Sequence, residues 1–235
     1  MVNGCSNFPH REDVVARFVR TSCYADPALA ASALALLGAE ERQLLAQLRP
    51  EPARLDYLAA HALFRSMIAE VSGCDASRIQ VRASTRGRAE TVRPRSAAVF
   101  GFSISHADGI ALCAVARGCA VGADVESERQ VDRDLRGMAE RICSCRELDE
   151  LRSLPPSLRT ERLLRLFTLH EAMAKAVGSR SGAIVRPGGE LAQHVASVRL
   201  LPSHLATIVV VGAPEGEPVS VRFEEYMPPP ALAAA

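Results

Sequence analysis

Long helices together with short antiparallel strands are what this 235-residue sequence predicts, on three features. Two apolar patterns of helical period, near residues 52–71 and 157–177, are long enough to be principal helices. Short apolar runs, three of them in close succession between Ala98 and Glu126, are parted by tight turn signals and suit an antiparallel meander. With 48% apolar and 23% charged residues, the chain can bury a core without staples, as one large domain or two small ones.

In chain order, Val14 to Cys23 (VVARFVRTSC) is β-branched and aromatic enough for a strand, and residues 28–48 read as one or two Ala/Leu helices broken near Gly38. The next helix runs from about Pro52 to Val71. There Leu55, Leu58, Ala59, Ala62, Leu63 and Met67 repeat at helical spacing, Arg54, His61 and Arg65 fall near the polar side, and Gly73 stops the chain. The Arg-, Ser- and Gly-rich stretch 73–98 reads as loop with a short strand at Ile79–Val81, and marks the boundary between a half at 1–97 and a half at 98–235. The strands AVFGFSIS, GIALCAVA and CAVGADVE follow, separated by His106-Ala107-Asp108-Gly109 and Arg117-Gly118. Asp132–Ile142 and Arg146–Leu154 read as helices, Pro155-Pro156 interrupts, and a long helix from Ser157 to Val177 ends at Gly178. Strand character returns at 196–200, 207–211 and 219–223, and the tail MPPPALAAA reads as loose.

Lys plus Arg at 28 against Asp plus Glu at 27 leaves a net charge of +1, so no overall field draws the chain to nucleic acid. An odd cysteine count of seven and an N-terminus without the basic-then-apolar order of a signal peptide point to a reducing, cytoplasmic setting. The longest strongly apolar stretch, Ala28–Ala39, is too short to span a bilayer, and Cys143-Ser144-Cys145 has no second pair at zinc spacing. A monomer with no membrane or nucleic-acid partner is expected. Neither a P-loop nor a GxGxxG cradle nor a GxSxG elbow is present.

Three groups of residues carry chemistry. Asp124 and Glu126 stand two apart in CAVGADVE, so alternation puts both carboxylates on one face beside Gly122. They are either an exposed strand end or, given the apolar AVGA before them, a buried pair whose natural partner is a hard cation. Glu171 and Lys175 lie one turn apart in FTLHEAMAKAVG, either as a surface ion pair or as charges pointing into a site from a largely apolar helix. Lys175 is the only lysine in the chain. Ser105-His106 closes the strand GFSIS before a tight turn, where His106 is either a turn residue or the mouth of a site.

Phe102-Ser-Ile-Ser105-His106, Val121-Gly-Ala-Asp124-Val-Glu126 and Phe167-Thr-Leu-His170-Glu171-Ala172-Met-Ala-Lys175-Ala-Val-Gly178 together resemble the ordered motifs of the 4′-phosphopantetheinyl transferases, the surfactin-synthetase-activating type in particular. The strong resemblance covers about Phe100 to Gly178. A weaker one extends to ARLDYLAAHALFR and to Gly87-Arg88. The chain departs from the family pattern at Phe167 and His170, where tryptophan and lysine are usual, at Ala89, where a proline often stands, and at His61, a frequent arginine position.

The resemblance implies an α+β fold of two similar halves related by a pseudo-twofold, each a small antiparallel sheet packed with a long helix, with the site in the cleft between them. It implies transfer of phosphopantetheine from coenzyme A to a serine hydroxyl of an apo acyl or peptidyl carrier protein, with release of 3′,5′-ADP. It assigns Mg²⁺ to Asp124, Glu126 and Glu171, catalysis to Glu171 as base and Lys175 on the leaving phosphate, and the coenzyme A phosphates to His106, Ser105, Arg54, Arg88 and His170. The half at 1–97 is then the adenosine-phosphate side and that at 98–235 the metal side. Leu135, Met138, Ile142, Leu148 and Leu151 form either a carrier-docking surface or core. Rival readings are a Mg²⁺-dependent coenzyme A diphosphate hydrolase and a catalytically weak binding homologue.

Overall fold

The computed structural model describes residues 14–83, 89–129, 135–178, 193–213 and 219–229. Strand β1 (Val14–Arg20) leads through a 3-10 turn into helices α1 (Pro27–Leu36), α2 (Ala39–Gln47) and α3 (Glu51–Ser72). A short pair, β2 (Gln80–Ala83) and β3 (Ala89–Arg93), and one turn of helix, α4 (Arg95–Ala98), precede β4 (Phe100–Ala107), β5 (Ile110–Arg117) and β6 (Ala120–Ser127). Then come α5 (Leu135–Ile142), α6 (Cys145–Ser153), α7 (Pro156–Val177), β7 (Gln193–Leu201), β8 (His204–Val211) and β9 (Val221–Glu225).

Four layers result. One sheet has the order β4-β5-β1-β9 and a second the order β6-β8-β7. Alternation along β1 and β5 sends Val15, Val19, Ala111, Cys113 and Val115 toward α3, and Val14, Ala16, Phe18, Ile110, Leu112 and Ala114 toward the second sheet. There they meet Val121, Ala123, Val125, Ala206, Ile208 and Val210. The outer face of the second sheet packs on α7 through Val209, Val211, Ala172, Met173 and Ala176. Strands covered on both faces read as near-continuous apolar runs, which is why GIALCAVA and HLATIVVV carry so few polar residues. Helices α3 and α7 are both 22 residues long, and both end at a glycine in the left-handed region, Gly73 at φ 65° and Gly178 at φ 73°.

Several expectations are corrected. β4 and β5 do form a hairpin, turning at Asp108-Gly109 with φ 43° and 88°, but β6 leaves for the second sheet, so the three strands are no meander. A boundary at 97/98 does not separate the sheets: β4 and β5 join β1, and β9 returns from the end of the chain to lie parallel to β1. A polar connecting stretch records where the chain is exposed, not which strands pair across it. The first sheet is therefore mixed where an antiparallel one was expected. Arg65 is buried at 3% exposure, its guanidinium bonded to Glu41 and to the carbonyls of Ala76 and Ile79. Met138, Ile142 and Leu151 are core residues packed on α7, with Leu148 partly buried beside them, so of the two readings of that segment core holds for these. The Leu135 side chain, the N-terminal residues 1–13 and the tail from 230 lie outside the described part.

Among the described residues no helix is long and apolar enough to cross a membrane. None of the six described cysteines is in a disulfide.

Candidate functional site at the seam of the two sheets

The site begins with a missing side chain. Gly122, Asp124 and Glu126 face α7, while Val121, Ala123 and Val125 face the first sheet. A Cβ at Gly122 would lie 1.8 Å from the carbonyl oxygen of Ala172 and 2.6 Å from the amide nitrogen of Ala176. Only glycine lets α7 come this close to β6, and that approach sets Glu171 and Lys175 beside the two carboxylates.

The Lys175 ammonium donates to Asp124 Oδ1 at 2.7 Å, to Ser105 Oγ at 3.0 Å and to the Ala123 carbonyl at 3.0 Å. Ser105, buried on β4, donates in turn to Asp124 Oδ1 at 2.8 Å. A neighbouring serine, Ser103, accepts the Ala123 amide at 2.9 Å and so pins the edge of β6 to β4. Asp124 is 2% exposed and Glu171 8% exposed, so the reading of these charges as surface groups falls away. Burial pushes the Asp124 carboxyl above the usual carboxylate range, against the pull of Lys175 and Ser105. Glu126 is pushed up to about 8, first by burial and then by Asp124, with Glu171 and Asp108 adding and Lys175 opposing.

Asp124 Oδ2 and Glu126 Oε2 are buried and have no hydrogen-bond partner. Buried carboxylate oxygens without partners are costly alone, and as hard oxygen donors they fit a divalent cation such as Mg²⁺. Among the described residues no group of three or more His, Cys, Asp or Glu side chains is placed to hold a metal ion, so the pair of unpartnered oxygens is the extent of the fit; Lys175 occupies the other oxygen of Asp124.

His106 is exposed near the end of β4. Partial burial is the largest cause lowering its pKa, Lys175 and His61 add to this, and Asp56 opposes it. Across from it on α3, Asp56 accepts from Thr21 Oγ1 at 2.7 Å, and His61 stacks on Tyr57 at 4.0 Å while bonding Glu41 at 2.8 Å. Arg54, on the same helix, has a distant ion pair with Glu51 at 3.9 Å and a buried Nε without a partner. Asp56, Asp108, Ile110 and Leu201 border an open hollow of about 550 Å³ beside this face.

The structure thus joins Ser105, Asp124, Glu126, Glu171 and Lys175, with His106 within electrostatic reach. It does not bring His170 to them. That ring is 5% exposed and bonded through Nε2 to Glu147 of α6 at 3.0 Å, while Phe167, one turn earlier, packs with the α5–α6 core. Residues 170 and 171 are about 100° apart around a helix, so neighbours in sequence serve opposite packings. Arg88 lies outside the described residues. Two acids were not singled out from the sequence as part of the site: Asp56, near His106, and Asp108, which accepts from Ser127 at the end of β6 and raises Glu126. Asp108 was legible only as a turn residue.

Residues 120–214 match the family model of the 4′-phosphopantetheinyl transferase superfamily. The 4′-phosphopantetheinyl transferase HetI of Nostoc sp. is 30% identical over 125 residues, which are 53% of this chain and 52% of that protein, so the match spans about half of each. A solved holo-(acyl-carrier-protein) synthase of Bacillus anthracis, in complex with coenzyme A (3′,5′-ADP), is 21% identical over 41% of this chain and 98% of its own, with a TM-score of 0.35.

Proposed function

We propose that this chain, whose residues 120–214 match the family model of the 4′-phosphopantetheinyl transferase superfamily, moves the 4′-phosphopantetheine group of coenzyme A onto a serine of an apo carrier protein. The observation that carries this reading is the cluster of buried Asp124 and Glu171 with half-buried Glu126 and Lys175 inside the matched segment, with two carboxylate oxygens unpartnered. The serine oxygen forms a bond to the phosphorus that carries pantetheine. The bond from that phosphorus to the bridging oxygen breaks, and 3′,5′-ADP leaves with the electron pair.

Asp124 and Glu126, with Glu171, would hold Mg²⁺, which when bound supplies charge neutralisation at the pyrophosphate. Glu171 accepts the serine proton, directly or through water. His106 and Arg54 face the adenosine phosphates from β4 and α3, and burial of the cluster strengthens every charge contact made there. The chain acts in the cytoplasm, as a monomer, on an acyl or peptidyl carrier.

The test is incubation with coenzyme A, Mg²⁺ and a panel of apo carrier proteins, followed by mass measurement of the carriers. Mass gain by one phosphopantetheine, dependent on Mg²⁺ and lost in Asp124→Asn, is expected. Coenzyme A cleaved with no carrier present would make the chain a diphosphate hydrolase instead, and coenzyme A bound but never cleaved would make it a binding homologue.

A further inference from the structure

We propose that the C-terminal end of α3 carries a second anion-binding site, separate from the cluster on β6 and α7, that takes a compact, multiply charged phosphate. The hollow there has a volume of about 990 Å³ and is lined by Asp75, Arg78, Gln80, Arg93, Arg95 and Ser96. Asp56, beside the first site, and Gly73, beside this one, stand near opposite ends of α3, roughly 25 Å apart at about 1.5 Å per residue.

Three guanidinium groups share this hollow because of how short elements fold around it. Arg78 closes the 3-10 turn Ala76–Arg78 that follows α3, pairing of β2 with β3 sets Gln80 opposite Arg93, and Arg95 opens α4. The backbone beneath them is anchored. Ile79 is 3% exposed and Ala97 fully buried in the core under α3, and buried Arg65 donates to the carbonyls of Ala76 and Ile79 at 2.8 and 3.1 Å.

The three arginines are exposed, and among the described residues none of their guanidinium groups has a salt bridge or hydrogen bond. Elsewhere Arg17, Arg65, Arg162 and Arg199 each hold a carboxylate. Asp75 is the acid among the described lining residues, and its Oδ1 is taken by the Ser77 amide and hydroxyl, both at 2.8 Å. One carboxylate bound into its own turn therefore faces three cations. The sequence carries the same imbalance: residues 78–95 hold six arginines and one acid, Glu90, in a chain whose net charge is +1, so the remainder is net negative. Like charges gathered on one short segment repel, and an anion among them relieves that repulsion.

The lining also selects the kind of anion. Planar guanidinium forks match phosphate oxygens in pairs. Among the described lining residues there is no aromatic ring and no large aliphatic side chain to shelter an apolar body, so affinity has to come from charge. Three forks around one hollow suit several linked phosphates better than a single one.

The test is calorimetry on the full chain, free of divalent metal, with inorganic triphosphate and orthophosphate as probes at about 0.1 M salt. Coenzyme A, added first to saturation, keeps the probes out of the other site. Saturable binding of triphosphate is expected, more than about tenfold tighter than orthophosphate and weakening as salt rises. Arg93→Gln together with Arg95→Gln should lower triphosphate affinity by more than about tenfold, with coenzyme A affinity kept within about threefold. Arg78→Gln, on a different element, should lower triphosphate affinity as well, and thermal unfolding checks that each variant keeps its fold. No saturable triphosphate binding below about 10 mM, equal affinity for orthophosphate, or binding that survives these substitutions would each overturn the proposal. So would heparin binding that needs the arginines while triphosphate fails to bind, which would make the patch a surface for an acidic macromolecule.

Discussion

The carbonyl oxygen of Ala172 on α7 stands where the Cβ of any residue other than glycine at position 122 would have to be, 1.8 Å from it. The whole cluster depends on this contact, because it sets the distance from β6 to the helix that carries Glu171 and Lys175. Gly122→Ala must push α7 outward. A loss of more than about 2 kcal/mol in urea unfolding is expected, with transfer activity falling further than stability explains. Unfolding within about 0.5 kcal/mol of the wild type would mean the helix yields freely and that Gly122 is not what positions the site.

Metal affinity should rise with pH. Glu126 titrates at about 8 beside Asp124, Glu171, Asp108 and Lys175, and a carboxylate must lose its proton to bind a cation. Affinity for Mg²⁺ should therefore climb between about pH 6.5 and 8 and level off above, with proton release on binding, visible by calorimetry in buffers of different ionisation enthalpy. The sign for stability is opposite. A folded-state pKa above the unfolded one means ionisation of Glu126 opposes folding, so the metal-free protein should lose stability as pH rises toward 8 and regain it when Mg²⁺ is added. A pH-independent affinity would remove Glu126 from the ligand set.

His106→Ala should weaken coenzyme A more than dephospho-coenzyme A, which lacks the 3′-phosphate, by about 1.5–3 kcal/mol for a charge-assisted contact. Burial lowers the His106 pKa, so less imidazolium is present at neutral pH than an ordinary histidine gives, and the preference for coenzyme A should be largest in acid and shrink as pH rises. Equal losses for both ligands would show that His106 contacts another part of the substrate.

His170 should behave as a structural residue. It is bonded to Glu147, whose carboxylate also caps α6 through the Ser144 amide and hydroxyl at 2.7 Å each. His170→Ala removes a donor from this half-buried carboxylate and empties a buried site, and a loss of about 1–2 kcal/mol of stability is expected with coenzyme A affinity unchanged. A coenzyme A affinity that falls while stability holds would return His170 to the phosphate side.

The sequence by itself determined the long helices and most of the strands, because apolar period and glycine stops are local: Gly73 and Gly178 end α3 and α7 where the pattern breaks. It also placed Asp124 with Glu126 on one face, and Glu171 with Lys175 on another, since both pairings follow from the repeat of a single element. Which elements meet was decided only in three dimensions. That β6 abandons β5 for β8, that β9 returns to β1, and that Ser105 reaches Asp124 across the seam all depend on contacts far apart in the chain. The same holds for His170 and Glu171, adjacent in sequence yet turned to different neighbours by the helix, one toward α6 and one toward the carboxylates of β6. Periodicity fixes the direction of a side chain relative to its own element. What stands in that direction is set by how sheets and helices pack, and that is a property of the whole core.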